Sequence, residues 1–495
     1  MQLRPDADIT AAQLEAAKRS LVWDAAWASV TGTLSGGVLL VAFALAIGAE
    51  PLEIGVIAAI PFIAQALQLP GVGLVDRIRQ RKKIGVLAVT LARVVLLATA
   101  VLPFMSQDSH RLGWLIGAQA VVAGLGALAA CAINSWFHEL LPAQTLGSFF
   151  ARRFLVATLV ASLGTLTAGL MVEQLRPYAP LSGYSVAFAV AGLAGFASSY
   201  CLARTPEPLM LDAGPRRSML AQLRIPLADV NFRSLLLLLG GWNLASNMAS
   251  PFLTVYLMRQ LGLGLSTVTT LWVASQLANA TTLFMWGRVS DRLSNKAILS
   301  VALPLYFACT FGLVFADAGG LQGLQLPLLY ALHIAMGAAG GGIALACGNL
   351  GMKLAPRSEG TAYLAAVGLV SAVFGGAAPV LAGAIAQAVS QSQLSILVRW
   401  TSSTTSGEVS VLAFAHWEFL FALSALLGLY VMHTLSRIQE GDEVSERVVV
   451  QELALEAVRT VNHVSSLGGL IGNVFSFERT SERRRFGRRR APRSP

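Results

Sequence analysis

What most constrains this chain is a succession of apolar runs, each long enough to cross a lipid bilayer as a helix. About 20 apolar residues, rising about 1.5 Å each, cover the hydrocarbon core. Twelve such runs occur, at roughly 21–47, 53–75, 85–105, 113–135, 154–175, 184–203, 234–258, 266–287, 297–316, 325–350, 361–388 and 411–433. In lipid every backbone N–H and C=O needs a partner within the protein, so runs of this length read as helices. Pro61, Pro103, Pro251, Pro304 and Pro379 interrupt several of them, which membrane helices tolerate better than soluble ones. The expected fold class is all-α, a polytopic membrane protein with twelve transmembrane helices.

Composition agrees. Charged residues make up 13% of 495 and hydrophobic ones 55%, whereas a soluble domain is about one quarter charged. The net charge of +10 first suggests nucleic acid, but eleven of the 36 Lys+Arg lie from Arg437 onward and most others flank apolar runs. Membrane topology and anionic headgroups account for charge placed that way, so no nucleic-acid partner is expected. With the N-terminus cytoplasmic, cytoplasmic segments before the C-terminal tail hold 20 Lys+Arg and the opposite loops hold four, Arg111, Arg176, Arg259 and Arg399. That asymmetry places both termini in the cytoplasm. Short loops and abundant Ala and Gly point to a multi-pass protein of a bacterial inner (plasma) membrane.

The first twenty residues lack the apolar core and cleavage site of a signal peptide, and Thr10 to Arg19 read as a short surface helix. Cys131, Cys201, Cys309 and Cys347 all fall within apolar runs without metal-ligand spacing, so neither disulfide nor metal site is expected. No HExxH, GxSxG or Walker A pattern occurs. We therefore expect no enzyme, no cofactor and no ATP-driven pump.

The chain divides into a cytoplasmic segment 1–20, a six-helix bundle 21–203, a basic linker 204–233, a second six-helix bundle 234–433 and a tail 434–495. The bundles repeat one another. GVGLVDRIRQRKK after the second run recurs as WGRVSDRLSNK after the eighth, with Asp76 and Asp291 215 residues apart. NSWFHELLPAQTLG recurs as NLGMKLAPRSEG, with Gly147 and Gly360 213 apart. Two motifs at nearly one offset indicate a duplicated six-helix unit.

With those motifs the chain resembles the major facilitator superfamily over roughly 20–435. The loop after the second helix of each half carries the resemblance. Gly287, Asp291, Arg292 and Lys296 fit it well; in the first half Asp76 and Arg77 are followed by Arg81, Lys82 and Lys83, while Val72 and Arg79 stand where the family has glycine. The resemblance implies two pseudo-symmetric bundles that rock about a central site, and a loop that latches the outward-facing state. Solvated turn residues are the plain alternative for Asp76 and Asp291.

Substrate and coupling candidates come from polar groups inside apolar runs, where they are costly. Arg93 lies deep in the third run and reads as cavity-facing, ion-paired or snorkelling. Asp24 lies about three residues into the first run, as a partner for a cation or proton or as an interfacial carboxylate, and His333 in the tenth is suited to proton exchange or to a satisfied core position. Asn243/Asn247 and Gln276/Asn279 have i,i+4 and i,i+3 spacings that put each pair on one helix face, toward a polar cavity or a neighbouring helix. The glycines of 375–383, with Pro379, permit close packing. In the tail, 439–464 reads as a cytoplasmic helix, and the last segment, with eight Arg from Arg479, as a disordered end that either meets an anionic leaflet or stays solvated and fixes topology.

The expected function is secondary transport of a small-molecule substrate by alternating access, coupled to protons or another ion, with the lipid bilayer as the other partner. The alternative is a non-transporting member of the same fold, a membrane assembly or pigment-delivery factor.

Overall fold

The computed structural model describes residues 5–6, 9–105, 108–210, 219–317, 323–356, 360–390, 392–401, 406–415, 417–440 and 451. The expected helix at 439–464 and the basic end lie almost wholly outside the described residues.

The first half begins with α1 (Ala11–Ser35) and α2 (Gly37–Ala46), one span broken where Gly37 adopts φ +52°. A capping box between Thr10 and Gln13 starts α1 ten residues before the apolar run. The second span is α3 (Pro51–Ala64) and α4 (Gln68–Ile78), bent by 44° around a short 3-10 turn at Gln65–Leu67. Pro70, with no N–H to donate, lies in the first turn beyond the break. Then come α5 (Arg81–Thr99), α6 (Asp108–Leu140), α7 (Ala143–Leu175) and α8 (Ser182–Arg204). A short α9 (Met219–Ala228) lies in the linker. The second half holds α10 (Val230–Val255), α11 (Leu265–Arg292), α12 (Asn295–Gly312), α13 (Gln325–Leu354), α14 (Gly360–Ala388) and α15 (Glu418–Ser436).

Among the described residues nine helices are long and apolar enough to cross a membrane, or ten with the bent pair. The two other units on the expected runs, α10 and α11, have 26 and 28 residues but are diluted by polar side chains, including Asn243, Asn247, Gln276 and Asn279.

One element departs from expectation. Between α14 and α15 the chain forms an antiparallel hairpin, β1 (Gln393–Thr401) and β2 (Ser406–Ala415), with Gln393 opposite Ala415. The last apolar run therefore starts as strand, and its helix begins only at Glu418. Hydropathy counts Val, Leu and Phe alike in strand and helix, and the short apolar stretch at 409–415 carries no helical period to separate them.

Packing repeats between the halves. In the first, α1 packs on α7 and α8, and α5 on α6 and α8; in the second, α10 packs on α14 and α15, and α12 on α13 and α15. The halves meet reciprocally, α3 along α14 and α7 along α11, so the second span of each faces the fifth of the other. Alternating direction puts the hairpin at one end of the bundle and the ends of α8 and α15 at the other, which is called the linker end below.

The two ends pack differently. At the hairpin end one core runs through both halves, with Phe43, Ile54 and Phe188 joined to Phe252, Tyr256 and Phe421. At the linker end each half has its own core, around Trp136 and Phe137 in the first and around Phe232, Leu299 and Ile343 in the second. Glycine permits the seam at the hairpin end: a methyl group at Gly55 would collide with the Pro379 carbonyl, and one at Gly383 would lie 2.5 Å from the Pro51 oxygen. Gln387 donates to Glu50 (2.8 Å) and the Ser266 N–H to Glu173 (3.0 Å) across the same seam.

Candidate functional site

Three polar groupings stand out from the apolar bundle. The first lies inside the first half, where α1, α5, α7 and α8 converge. Asp24 is 2% exposed. Its carboxylate pairs with the Arg153 guanidinium of α7 at 2.7 Å and accepts the Ser198 hydroxyl of α8 at 2.7 Å. Arg93 of α5 lies close enough to Asp24 to interact electrostatically, and its Nε has no hydrogen-bond partner among the described residues. A side chain at 195 would overlap Arg93, so Gly195 provides the room for it. Arg153 also stands 5.2 Å over the Phe137 ring. One carboxylate thus balances two guanidiniums in a buried site, an arrangement that only close pairing and hydrogen bonding make tolerable.

Asp24 is buried within the first bundle, thirteen residues after α1 starts at Ala11. Arg93 turns toward Asp24 within its own bundle. Arg153 was legible only as a loop charge; the signal for its helix was Pro142, which sits at the N-cap of α7.

The second grouping is at the linker end and occurs once in each half. Arg81, at the start of α5, is fully buried and pairs with Glu139 (2.8 Å) and Glu207 (3.5 Å), while its Nη2 donates to the Pro208 carbonyl (2.9 Å). Glu207, just beyond α8, also accepts the Arg81 backbone N–H at 2.6 Å, capping α5. Glu440, just beyond α15, does the same for α12: it accepts the Lys296 N–H (2.6 Å) and the Asn295 side chain (2.7 Å) and pairs with Lys353 (3.1 Å). Burial pushes the Glu207 carboxyl up, and hydrogen bonds from the Arg81 and Lys82 backbone oppose this. Burial acts the same way on Glu440, but there the hydrogen bonds from Lys296 and Asn295 win and hold it below the usual range. Sequence reasoning found the basic half of each network and missed Glu139, Glu207 and Glu440. The two glutamates were visible as carboxylates shortly after the sixth and twelfth helices.

In the motif itself Asp76 is half-buried, Arg77 exposed and Lys82 buried. Asp291 and Arg292 close α11, and nothing is described of their side chains. Gly287 does not serve close packing, since a methyl group there would meet nothing within 4 Å. Arg79, where the family has glycine, has φ +55° at the end of α4. Among the described residues it is the only non-glycine with positive φ, so the backbone keeps the glycine-like turn.

The third grouping is a cavity of about 170 Å³ inside the second half, between α10, α11, α12, α13 and α15. Ser250, Trp272, Ser275, Asn279, Tyr306, Thr310 and His333 supply its polar lining. The candidate polar residues divide around it. Asn279 lines the cavity against Gly340 and Gly341, while Gln276, three residues earlier, is exposed, so that pair does not share an environment. Asn243 and Asn247 do share a face: Asn247 donates to the Asn243 carbonyl (2.9 Å), and Asn243 to Leu239 (2.8 Å) and to Ser371 of α14 (3.4 Å).

Comparison with known proteins agrees with this architecture. The profile of the Major Facilitator Superfamily matches residues 25–379 and 244–438. The chain belongs to the major facilitator superfamily. Solved structures of this superfamily's fold superpose over most of the chain. One is a bacterial homolog of the human lysosomal transporter Spinster in an inward-facing, unoccupied conformation, with TM-score 0.57 and 14% identity over 90% of this chain and 97% of that one. Another is a nucleoside transporter, with TM-score 0.61 and 12% identity over 86% and 98%. A third is a D-xylose–proton symporter, with TM-score 0.60 and 14% identity over 87% and 98%. A search of curated proteins finds no sequence match. At such identities the likeness shows the fold, and this superfamily member is a multi-pass membrane protein of a transporter family.

Proposed function

We propose that this superfamily member moves a small solute by alternating access, rocking its two halves about the seam, and couples the movement to protons through the Asp24–Arg153 pair. The observation that carries the reading is the contrast between the ends: one continuous core at the hairpin end and two separate cores at the linker end. Two bodies whose shared core, among the described residues, lies at one end can exchange that seam for one at the other end by rigid-body rotation. The count of 20 Lys+Arg against four supports a cytoplasmic linker end, which makes this arrangement the inward-facing one.

Coupling needs a group whose charge changes within the membrane-spanning region, and Asp24 is a buried carboxylate held by a cation and a hydroxyl. Protonating Asp24 weakens its hold on Arg153, which joins α7, the seam helix, to α1. The similar structures are of transporters for solutes as different as a nucleoside and D-xylose, so the fold alone selects none.

The test is uptake in proteoliposomes across a solute panel, with and without an imposed pH gradient. Asp24→Asn should abolish gradient-driven accumulation while leaving solute exchange at equal pH. Accumulation by Asp24→Asn at the wild-type rate would remove Asp24 from the coupling path. Silence toward every solute, with a co-purifying partner, would instead support the assembly-factor alternative.

A further inference from the structure

We propose that the hairpin end is held shut by a helix cap supplied across the seam, Glu173 of α7 on the N-terminus of α11, and that this cap sets the balance between the two arrangements of the halves. The proposal rests on the rocking motion inferred above and names a contact that biases it.

The duplication brings the contact out. Glu173 and Gln387 are 214 residues apart, and so are Gly264 and Glu50, which is the offset of the repeated motifs. Glu173 and Gln387 stand in the last turns of α7 and α14, and Gly264 and Glu50 are the N-cap residues of α11 and α3. At both places the end of one half's fifth span meets the start of the other half's second. The chemistry is exchanged between the two. α3 starts on its own carboxylate, and Gln387 donates to that Glu50 at 2.8 Å. α11 starts on a glycine, which has no side chain to accept the orphan N–H groups of the first turn. Glu173 supplies the acceptor from the opposite half, taking the Ser266 N–H at 3.0 Å. That N–H, the second of the helix, is one that an N-cap side chain of α11 itself would bond. A carboxylate at 387 would instead face Glu50 as a like charge, and the amide found there avoids this.

Gly264 is what admits the carboxylate. A methyl group there would lie 2.6 Å from Glu173 Oε1, yet φ −65° and ψ 154° are angles any residue adopts. The glycine therefore serves the approach of Glu173 and not the turn. Glu173 is exposed, so the contact lies at the water-facing rim of the seam and has the modest strength of a surface cap. It joins the two halves and exists only while the hairpin end is closed. An interaction present in one arrangement and absent from the other shifts their populations by its own free energy.

The experiment reads the other seam, which Glu173 does not touch. Ala386, one turn beyond Gly383 on the face of α14 that meets α3, is 2% exposed. A cysteine introduced by Ala386→Cys reacts with a maleimide when the hairpin end opens, and its alkylation rate is followed by mass spectrometry on the full chain in detergent. Glu173→Ala should raise that rate about three- to fivefold. Gly264→Ala, whose methyl group drives the carboxylate off the helix, should raise it by a similar factor, and adding it to Glu173→Ala should change nothing further. The buried native Cys309 of α12 is the internal control. Three results overturn the proposal: unchanged rates in both variants, effects that multiply in the double variant, or a parallel rise at Cys309, which would mean general loosening. Faster alkylation in the variants without flux of any solute would keep the cap and sink the transport reading; solute flux without these rate changes would do the reverse.

Discussion

Replacing Asp24 by Asn keeps the shape of the side chain and removes its charge, leaving Arg153 and Arg93 without their carboxylate. Removing one partner of a fully buried pair costs about 3–5 kcal/mol. The Arg153 side chain keeps 23% of its exposure, so water recovers part of its solvation and we expect about 2–3 kcal/mol. For a folding unit the size of one half, that lowers the apparent midpoint by about 5–10 °C. Arg153→Gln should cost a similar amount, because Asp24 then keeps only Ser198 and the more distant Arg93. The decisive variant is Asp24→Asn/Arg153→Gln, which leaves no ionised member of the pair. Its loss should fall short of the sum of the single losses by about 1–3 kcal/mol. The assay is thermal unfolding of the detergent-purified chain at neutral pH. Strictly additive losses, or an Asp24→Asn midpoint within about 1 °C of wild type, would refute the claim that the 2.7 Å contact is a coupled buried pair.

Three further outcomes follow from the linker end. Glu207→Ala should destabilise the first half by about 3 kcal/mol in thermal unfolding, since it removes the cap of α5 and one counter-charge of the fully buried Arg81 while Glu139 remains. Glu440 is held below the usual carboxylate range, so its contribution is present above the unfolded value, about 4.3, and disappears as pH falls through its folded value. The midpoint gap between wild type and Glu440→Gln should therefore be full at pH 6 and close toward pH 3; a gap independent of pH would contradict the assignment. Arg79→Gly should raise stability by about 1 kcal/mol by relieving the left-handed backbone, and a loss of stability would show that the arginine side chain matters more than the turn.

Much of this architecture is legible in the sequence because lipid leaves few choices. Runs of apolar residues at membrane length specify helices, and two motifs at offsets of 215 and 213 residues reveal the duplication. The reading of Asp24, Arg93 and His333 as the notable intramembrane groups rests on the same cost of polarity in lipid.

What each of those groups touches was decided by the tertiary structure. Asp24 finds Arg153, 129 positions away, only because α1 and α7 pack together. Glu207 and Glu440 become helix caps only because the chain leaving the last helix of each half returns beneath the third. The hairpin at 393–415 escaped a hydropathy reading because apolar content is blind to whether backbone groups bond within a helix or across strands. The cavity exists because five helices leave a gap that no local pattern encodes. Sequence sets which segments must leave water; the contacts made between segments, and so the chemistry of each buried polar group, depend on a packing that spans the whole chain.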